Sequence, residues 1–230
     1  MAAPSASARP VLRLLALHGY RQNERSFREK TGALRKILKG RAEIVHITAP
    51  LIIPEPGGDV IKDGNSDSSE EEPRGWWFSN PEDNSFNAMD NTEGCSGLDD
   101  SFQTVAKAFT ELGPFNGILG FSQGAALVAM LCSLMQRGDV RFKFDFAVLV
   151  AGFKSRASEH EEYYQQPITV PSLHVYGETD RVIPDHMSQE LVLHFEKPVT
   201  LTHAGGHFVP ASAQQKKVYL EFLNMFNKCV

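Results

Sequence analysis

The sequence predicts an α/β fold, a mostly parallel central sheet flanked by helices. Two observations carry this expectation. Short apolar runs bounded by Gly, Pro or polar residues alternate with longer amphipathic stretches, the order that builds βαβ units. At 230 residues and 42% hydrophobic content, the chain has enough apolar side chains for one substantial core, so a single domain over 1–230 is expected.

Taken in order, the apolar runs place strands at Val11 to Leu17, Glu43 to Thr48, Gly117 to Phe121, Phe144 to Val150, Ser172 to Tyr176 and Val199 to His203. The stretches between them place helices at Phe27 to Lys39, Leu98 to Leu112, Ser122 to Arg137, Asp185 to Phe195 and Ala211 to Asn227. No internal repeat is present. The segment 50–97 breaks the rhythm and reads as an insert, since a structureless stretch of that length is a functional lid or a disordered loop. Its part from Gly58 to Glu72, with "DGNSDSSEEE", has the charged, weakly hydrophobic composition of disorder. By contrast Trp76, Trp77 and Phe78 are too apolar to stand in water. They are assigned to substrate binding, with plain core packing as the alternative.

Composition excludes several function classes. A formal net charge of -5 offers no basic footprint for nucleic acid or an anionic membrane. The three cysteines, Cys95, Cys132 and Cys229, are scattered without a CxxC pair, which argues against a disulfide framework or a zinc site and for a reducing compartment. Cys132 falls on the helix after Ser122 and reads as a buried structural thiol. The N-terminal "MAAPSASARP" is faintly like a transit peptide, but the strand "VLRLLALHGY" follows at once. No apolar run approaches the roughly 18 residues of a membrane span, and "NKCV" is no prenylation box. A cytosolic or nuclear protein without stable membrane insertion is expected.

The chemistry-bearing motif is "GFSQG", Gly120 to Gly124, set between a predicted strand and a predicted helix. That context is what a nucleophile elbow requires: a tight, strained turn that crowds out side chains two positions either way and lifts Ser122 beside a helix N-terminus. A serine N-cap in a glycine-rich turn accounts for the pentapeptide equally well on its own. A neutral hydroxyl is a weak nucleophile, so the catalytic reading also demands a histidine base and a carboxylate to hold it, in the order Ser, Asp, His. In "SLHVYGETDRVIP" a strand ends in a turn that presents Asp180, with Glu178 as the nearby substitute. In "LTHAGGHFVP" His207 follows a glycine pair, while the competing His203 belongs to the strand before it. For an oxyanion hole, the donors expected are the backbone N–H groups of Gln123 and of Tyr20, the latter in "LLALHGY", where His18 shapes the loop.

Together "LALHGY", "GFSQGAAL", "RGWWF", "HVYGETDRVIP" and "HAGGHFVP" resemble the eukaryotic FSH-type serine hydrolases of the α/β-hydrolase superfamily, over nearly the whole chain. "GFSQG" by itself is shared with acyl-protein thioesterases. The resemblance implies the α/β-hydrolase fold, with the long insert lid-like and no separate cap domain. It implies Ser122 as nucleophile, His207 as general base and Asp180 as its orienting acid, in a carboxylesterase favouring longer unbranched acyl chains. The expected partner is a small, lipid-like ester, and neither metal nor organic cofactor is required. Such chains need an apolar groove, for which Leu51 to Ile53, Trp76 to Phe78, Phe153, Tyr163 and Tyr164 are the expected walls. Thioester hydrolysis by the same groups, and ligand binding without catalysis, are the alternatives. Nothing in the sequence announces the side-chain specificity pocket of a peptidase.

Overall fold

The structure is a computed structural model that describes residues 10–54 and 72–227. The acidic run from Gly58 lies outside these residues up to Glu72, as does Cys229. The central sheet has six parallel strands, β1 (Leu12–Leu17), β2 (Ala42–Ile47), β5 (Gly117–Phe121), β6 (Phe146–Val150), β7 (Ser172–Gly177) and β8 (Val199–His203). A two-residue antiparallel pair, β3 (Leu51–Ile52) and β4 (Arg74–Gly75), stands apart from it.

The order across the sheet is β2-β1-β5-β6-β7-β8. From β1 the chain builds β2 at one edge, then crosses back to lay β5 on the other side of β1. Register follows from this: Leu14 of β1 faces Ile44 of β2 and Gly117 of β5. Where the direction of winding reverses, the loops after β1 and β5 diverge, and a crevice opens at the C-terminal ends of the strands.

Helices cover both faces. On one lie α3 (Leu98–Leu112), α4 (Gln123–Gln136) and α5 (Asp185–Val192), sharing a core that includes Phe102, Leu127 and Leu191. On the other lie α1 (Glu24–Lys30), α2 (Gly32–Ile37) and α6 (Ala213–Asn224), whose Phe27, Leu34 and Phe222 pack against Leu14 and Phe146. Helix α4 is apolar nearly all round, as a helix enclosed by protein must be, and every residue from Gln123 to Ser133 is buried. Two helices begin with reciprocal caps, Asn23 with Ser26 and Ser212 with Gln215.

The single helix expected over Phe27 to Lys39 is instead α1 and α2. The break falls at Thr31, whose hydroxyl donates back to the Phe27 carbonyl (2.9 Å) and also contacts the His46 ring (2.8 Å). A hydroxyl that competes for a helix carbonyl in this way, followed by Gly32, ends the first helix.

The insert corrects another expectation. Trp76, Trp77 and Phe78 are buried at 0%, 1% and 6% exposure and do not line the crevice. Ile53, Phe153, Tyr163 and Tyr164 are buried as well, and Ile52 points to solvent. The polar groups of this stretch are met inside the protein: the Trp76 N–H and indole N–H, and the Trp77 carbonyl, are all hydrogen bonded. Trp77→Ala should therefore act on stability, lowering it by roughly 3–5 kcal/mol. A shifted urea midpoint with unchanged slope would report this.

Candidate active site

The site assembles from loops at the crevice between β1 and β5. Ser122 follows β5 with φ 54° and ψ -119°, a conformation that a residue with a side chain rarely adopts. Its N–H donates to the Val150 carbonyl (2.9 Å), which anchors the turn to β6. The flanking glycines are dictated by contact. A Cβ on Gly120 would overlap the backbone of Gly124 and Ala125, and one on Gly124 would overlap the carbonyl oxygens of Leu17 and His18. The side chain of Ser122 makes no capping bond to α4. The hydroxyl faces the crevice instead, so capping does not explain this serine.

Asp180, in the turn after β7, uses its two oxygens differently. Oδ1 accepts the N–H groups of Val182 (2.8 Å) and Ile183 (2.9 Å), and Oδ2 pairs with His207 Nδ1 (2.7 Å). Burial is the largest influence on this carboxyl and pushes its pKa up. The His207 bond and the two N–H bonds outweigh it, and the net displacement is downward. Because an ionised carboxylate only accepts, Nδ1 of His207 carries the hydrogen, and in the neutral imidazole Nε2 is the nitrogen that keeps its lone pair. His207 and Ser122 line the same crevice. Among the described residues no hydrogen bond joins them. Close approach at Gly177, where a Cβ would strike the carbonyls of Gly205 and Gly206, holds the acid turn against the histidine loop. Glu178 is exposed and His203 is buried on β8, its Nδ1 accepting the Gly205 N–H (3.2 Å). Neither lines the crevice.

The loop after β1 is held from inside. His18 is fully buried; Nε2 accepts the Ala49 N–H (2.9 Å), so Nδ1 donates to the Gly19 carbonyl (2.7 Å). Burial is the main cause that pulls the His18 pKa down to about 4, and the ring is neutral. The two ends of a trans peptide point opposite ways, so fixing the Gly19 carbonyl also fixes the direction of the Tyr20 N–H. Among the described residues neither the Tyr20 nor the Gln123 amide has an acceptor. The Gln123 side chain ties this region together: Oε1 accepts the Trp76 N–H (2.9 Å) and Nε2 donates to the Trp77 carbonyl (2.8 Å). The Trp76 indole donates to the His18 carbonyl (2.8 Å), and Ser101 Oγ bonds the Trp76 carbonyl.

The crevice encloses about 300 Å3. Beside Ser122 and His207 its walls are Tyr20, Phe86, Ala88, Phe121, Val182 and Ile183, with Arg21, Gln22 and Asn87 as its other polar side chains. Of these only Tyr20 was singled out by sequence, and for its amide. The one signal for Val182 and Ile183 was their place directly after the acid turn. Phe86 and Ala88 carry none, because nothing in "NSFNAMD" shows which way that loop folds back. Among the described residues no group of three or more His, Cys, Asp or Glu could hold a metal ion, and no helix is long and apolar enough to cross a membrane.

With this geometry in view, comparison with known proteins decides the family. The model of the serine hydrolase (FSH1) family matches residues 8–219. The chain belongs to that family. It is 66% identical over 223 residues to Esterase OVCA2 of Xenopus tropicalis, covering 97% of this chain and 96% of that one. It is 51% identical over 225 residues to the Homo sapiens Esterase OVCA2, covering 96% and 99%. Among solved structures, Zea mays acyl-protein thioesterase 2 superposes with a TM-score of 0.62 at 19% identity over 95% of this chain and 96% of that one. A Bacillus cereus carboxylesterase does so with a TM-score of 0.57 at 15% identity over 94% and 89%. At those identities the structural matches speak for the α/β-hydrolase fold alone.

Two predictions arise here. Gly124→Ala should abolish most hydrolysis while the protein keeps its secondary structure, since the new methyl must displace the loop after β1; ester turnover and circular dichroism on one sample decide it. Buried His18 and His174 have pKa values lowered to about 4 and about 3, chiefly by burial, against 6.5 in the unfolded chain. Below pH 6.5 the unfolded state therefore binds protons that the folded state refuses. Stability should fall as pH drops from 6.5 toward 4, by up to about 1.4 kcal/mol per pH unit for each such histidine, and level off above 6.5. Urea midpoints measured across that range test the sign.

Proposed function

We propose that the protein is a serine carboxylesterase that hydrolyses carboxylic esters through Ser122, His207 and Asp180 by way of an acyl-enzyme. The observation that carries this reading is the 2.7 Å His207–Asp180 pair, which leaves His207 Nε2 as the free base in a crevice shared with the strained Ser122. Nε2 takes the proton from Ser122 Oγ as the oxygen attacks the ester carbonyl. The oxyanion that forms is held by the Tyr20 amide in the loop after β1 and the Gln123 amide at the N-terminus of α4. Asp180 stabilises the imidazolium, which then protonates the leaving alcohol. Water, deprotonated by the same imidazole, cleaves the acyl-enzyme and restores Ser122.

The apolar walls favour a lipid-like acyl group, in keeping with the preference for longer unbranched chains that the family resemblance implies. Each methylene buried there contributes ~0.8 kcal/mol. The same groups would serve a thioester, whose bond is more reactive. Cys95 and Cys132 are free thiols, which suits a reducing compartment, the cytosol or the nucleus.

Initial rates over a chain-length series of linear acyl esters and matched thioesters test the proposal, with Ser122→Ala as the blank. Rates that rise with chain length and vanish in the variant are expected, with the ester-to-thioester ratio ranking the two substrates. Equal rates in both proteins would refute it.

A further inference from the structure

The catalytic crevice ends at Phe86, and a second, smaller void begins there. Phe86, Asn87 and Ala88 belong to the lining of both. On the crevice side the Phe86 ring meets Tyr20 at 5.2 Å between centroids. On the other side it meets Trp77 at 5.3 Å, edge to face, and Phe153 at 6.0 Å. The void behind encloses only about 10 Å3, and Trp77, Phe153 and Ala157 form its apolar walls. Its charged members, Asp90 and Arg156, are exposed and half-buried.

The root of Phe86 is fixed although its ring lies between two spaces. Before it, Asn80 and Ser85 exchange backbone hydrogen bonds (3.1 and 3.3 Å). After it, the Asn87 N–H donates to Ser79 Oγ (3.0 Å). The backbone is thus tied on both sides, and of the residues shared by the two linings Phe86 has the one aromatic ring, half-buried between the crevice of about 300 Å3 and Trp77 and Phe153.

We propose that Phe86 is the specificity-determining partition of this enzyme, its ring setting how far a linear acyl chain runs from Ser122 toward Trp77 and Phe153. The inference rests on the esterase reading given above. It accounts for two buried aromatic residues standing in line with the crevice without touching it: they are the end wall reached only when the Phe86 ring turns aside or is absent. A side chain smaller than phenyl lengthens the acyl channel. A larger one shortens it.

The test is kcat/KM on linear 4-nitrophenyl esters from acetate to palmitate, for the parent, Phe86→Ala, Phe86→Leu and Phe86→Trp. The ratio of longest-chain to acetate activity should rise about tenfold in Phe86→Ala, the effect of burying roughly two further methylenes, and rise less in Phe86→Leu. It should fall in Phe86→Trp; the ratio within each variant is the readout, whatever its absolute acetate rate. Ratios that stay within about twofold of the parent in every variant that melts as a folded protein, or that fall in Phe86→Leu, would overturn the partition. The esterase reading fails separately, and only if Ser122→Ala hydrolyses acetate as fast as the parent.

Discussion

The site depends on one strained residue. Ser122 occupies a positive-φ conformation that costs on the order of 1–3 kcal/mol, and such a backbone persists only where its surroundings over-determine it. Here they do so from three directions. The Ser122 N–H is bonded to β6, glycines on either side let β1 and α4 come within contact distance, and the whole first half of α4 is buried against the sheet. The strand order supplies the place for the strain. Because winding reverses between β1 and β5, the loops carrying Tyr20 and Ser122 part at that point and leave the serine facing open space.

A second tier of contacts holds the Tyr20 and Gln123 amides, the oxyanion donors of the proposed mechanism, and it comes from an unexpected quarter. The aromatic segment of the insert braces both loops from behind the crevice. Gln123 has its amide at the start of α4 and its side chain bonded to Trp76 and Trp77, while the Trp76 indole reaches the His18 carbonyl. Both loops that flank the crevice are therefore tied to the same buried Trp76. Rigid support of this kind is what electrostatic stabilisation of a developing charge requires, since donors that must reorient at the moment of reaction lose most of their effect.

The electrostatics divide by environment. His18 and His174 are enclosed without a carboxylate partner and are kept neutral. Asp180 is buried too, yet it is held ionised because three donors converge on it. One carboxylate thus ends its turn with Oδ1 and orients His207 with Oδ2. Closing a turn and holding a histidine are two tasks of one residue here.

What the sequence by itself determined is whatever depends on local order and contact. Runs of strand length marked all six parallel strands: the inner ones are apolar nearly throughout because both faces are covered, whereas the edge strands β2 and β8 carry the exposed Glu43, Thr200 and Thr202. The glycines of "GFSQG" marked the elbow because close backbone approach admits no side chain there. The Ser, Asp, His order is a one-dimensional property and was legible as such. Tertiary structure alone decided what depends on which way a surface loop turns. Thr31 ended a helix, its hydroxyl turned back on the Phe27 carbonyl and set against the His46 ring of a neighbouring strand. Trp76 and Trp77 went to the core and Phe86 to the crevice, although all three are aromatic residues of one insert. Hydrophobicity says that such side chains must leave water; only the packing of the elements around them says into which space.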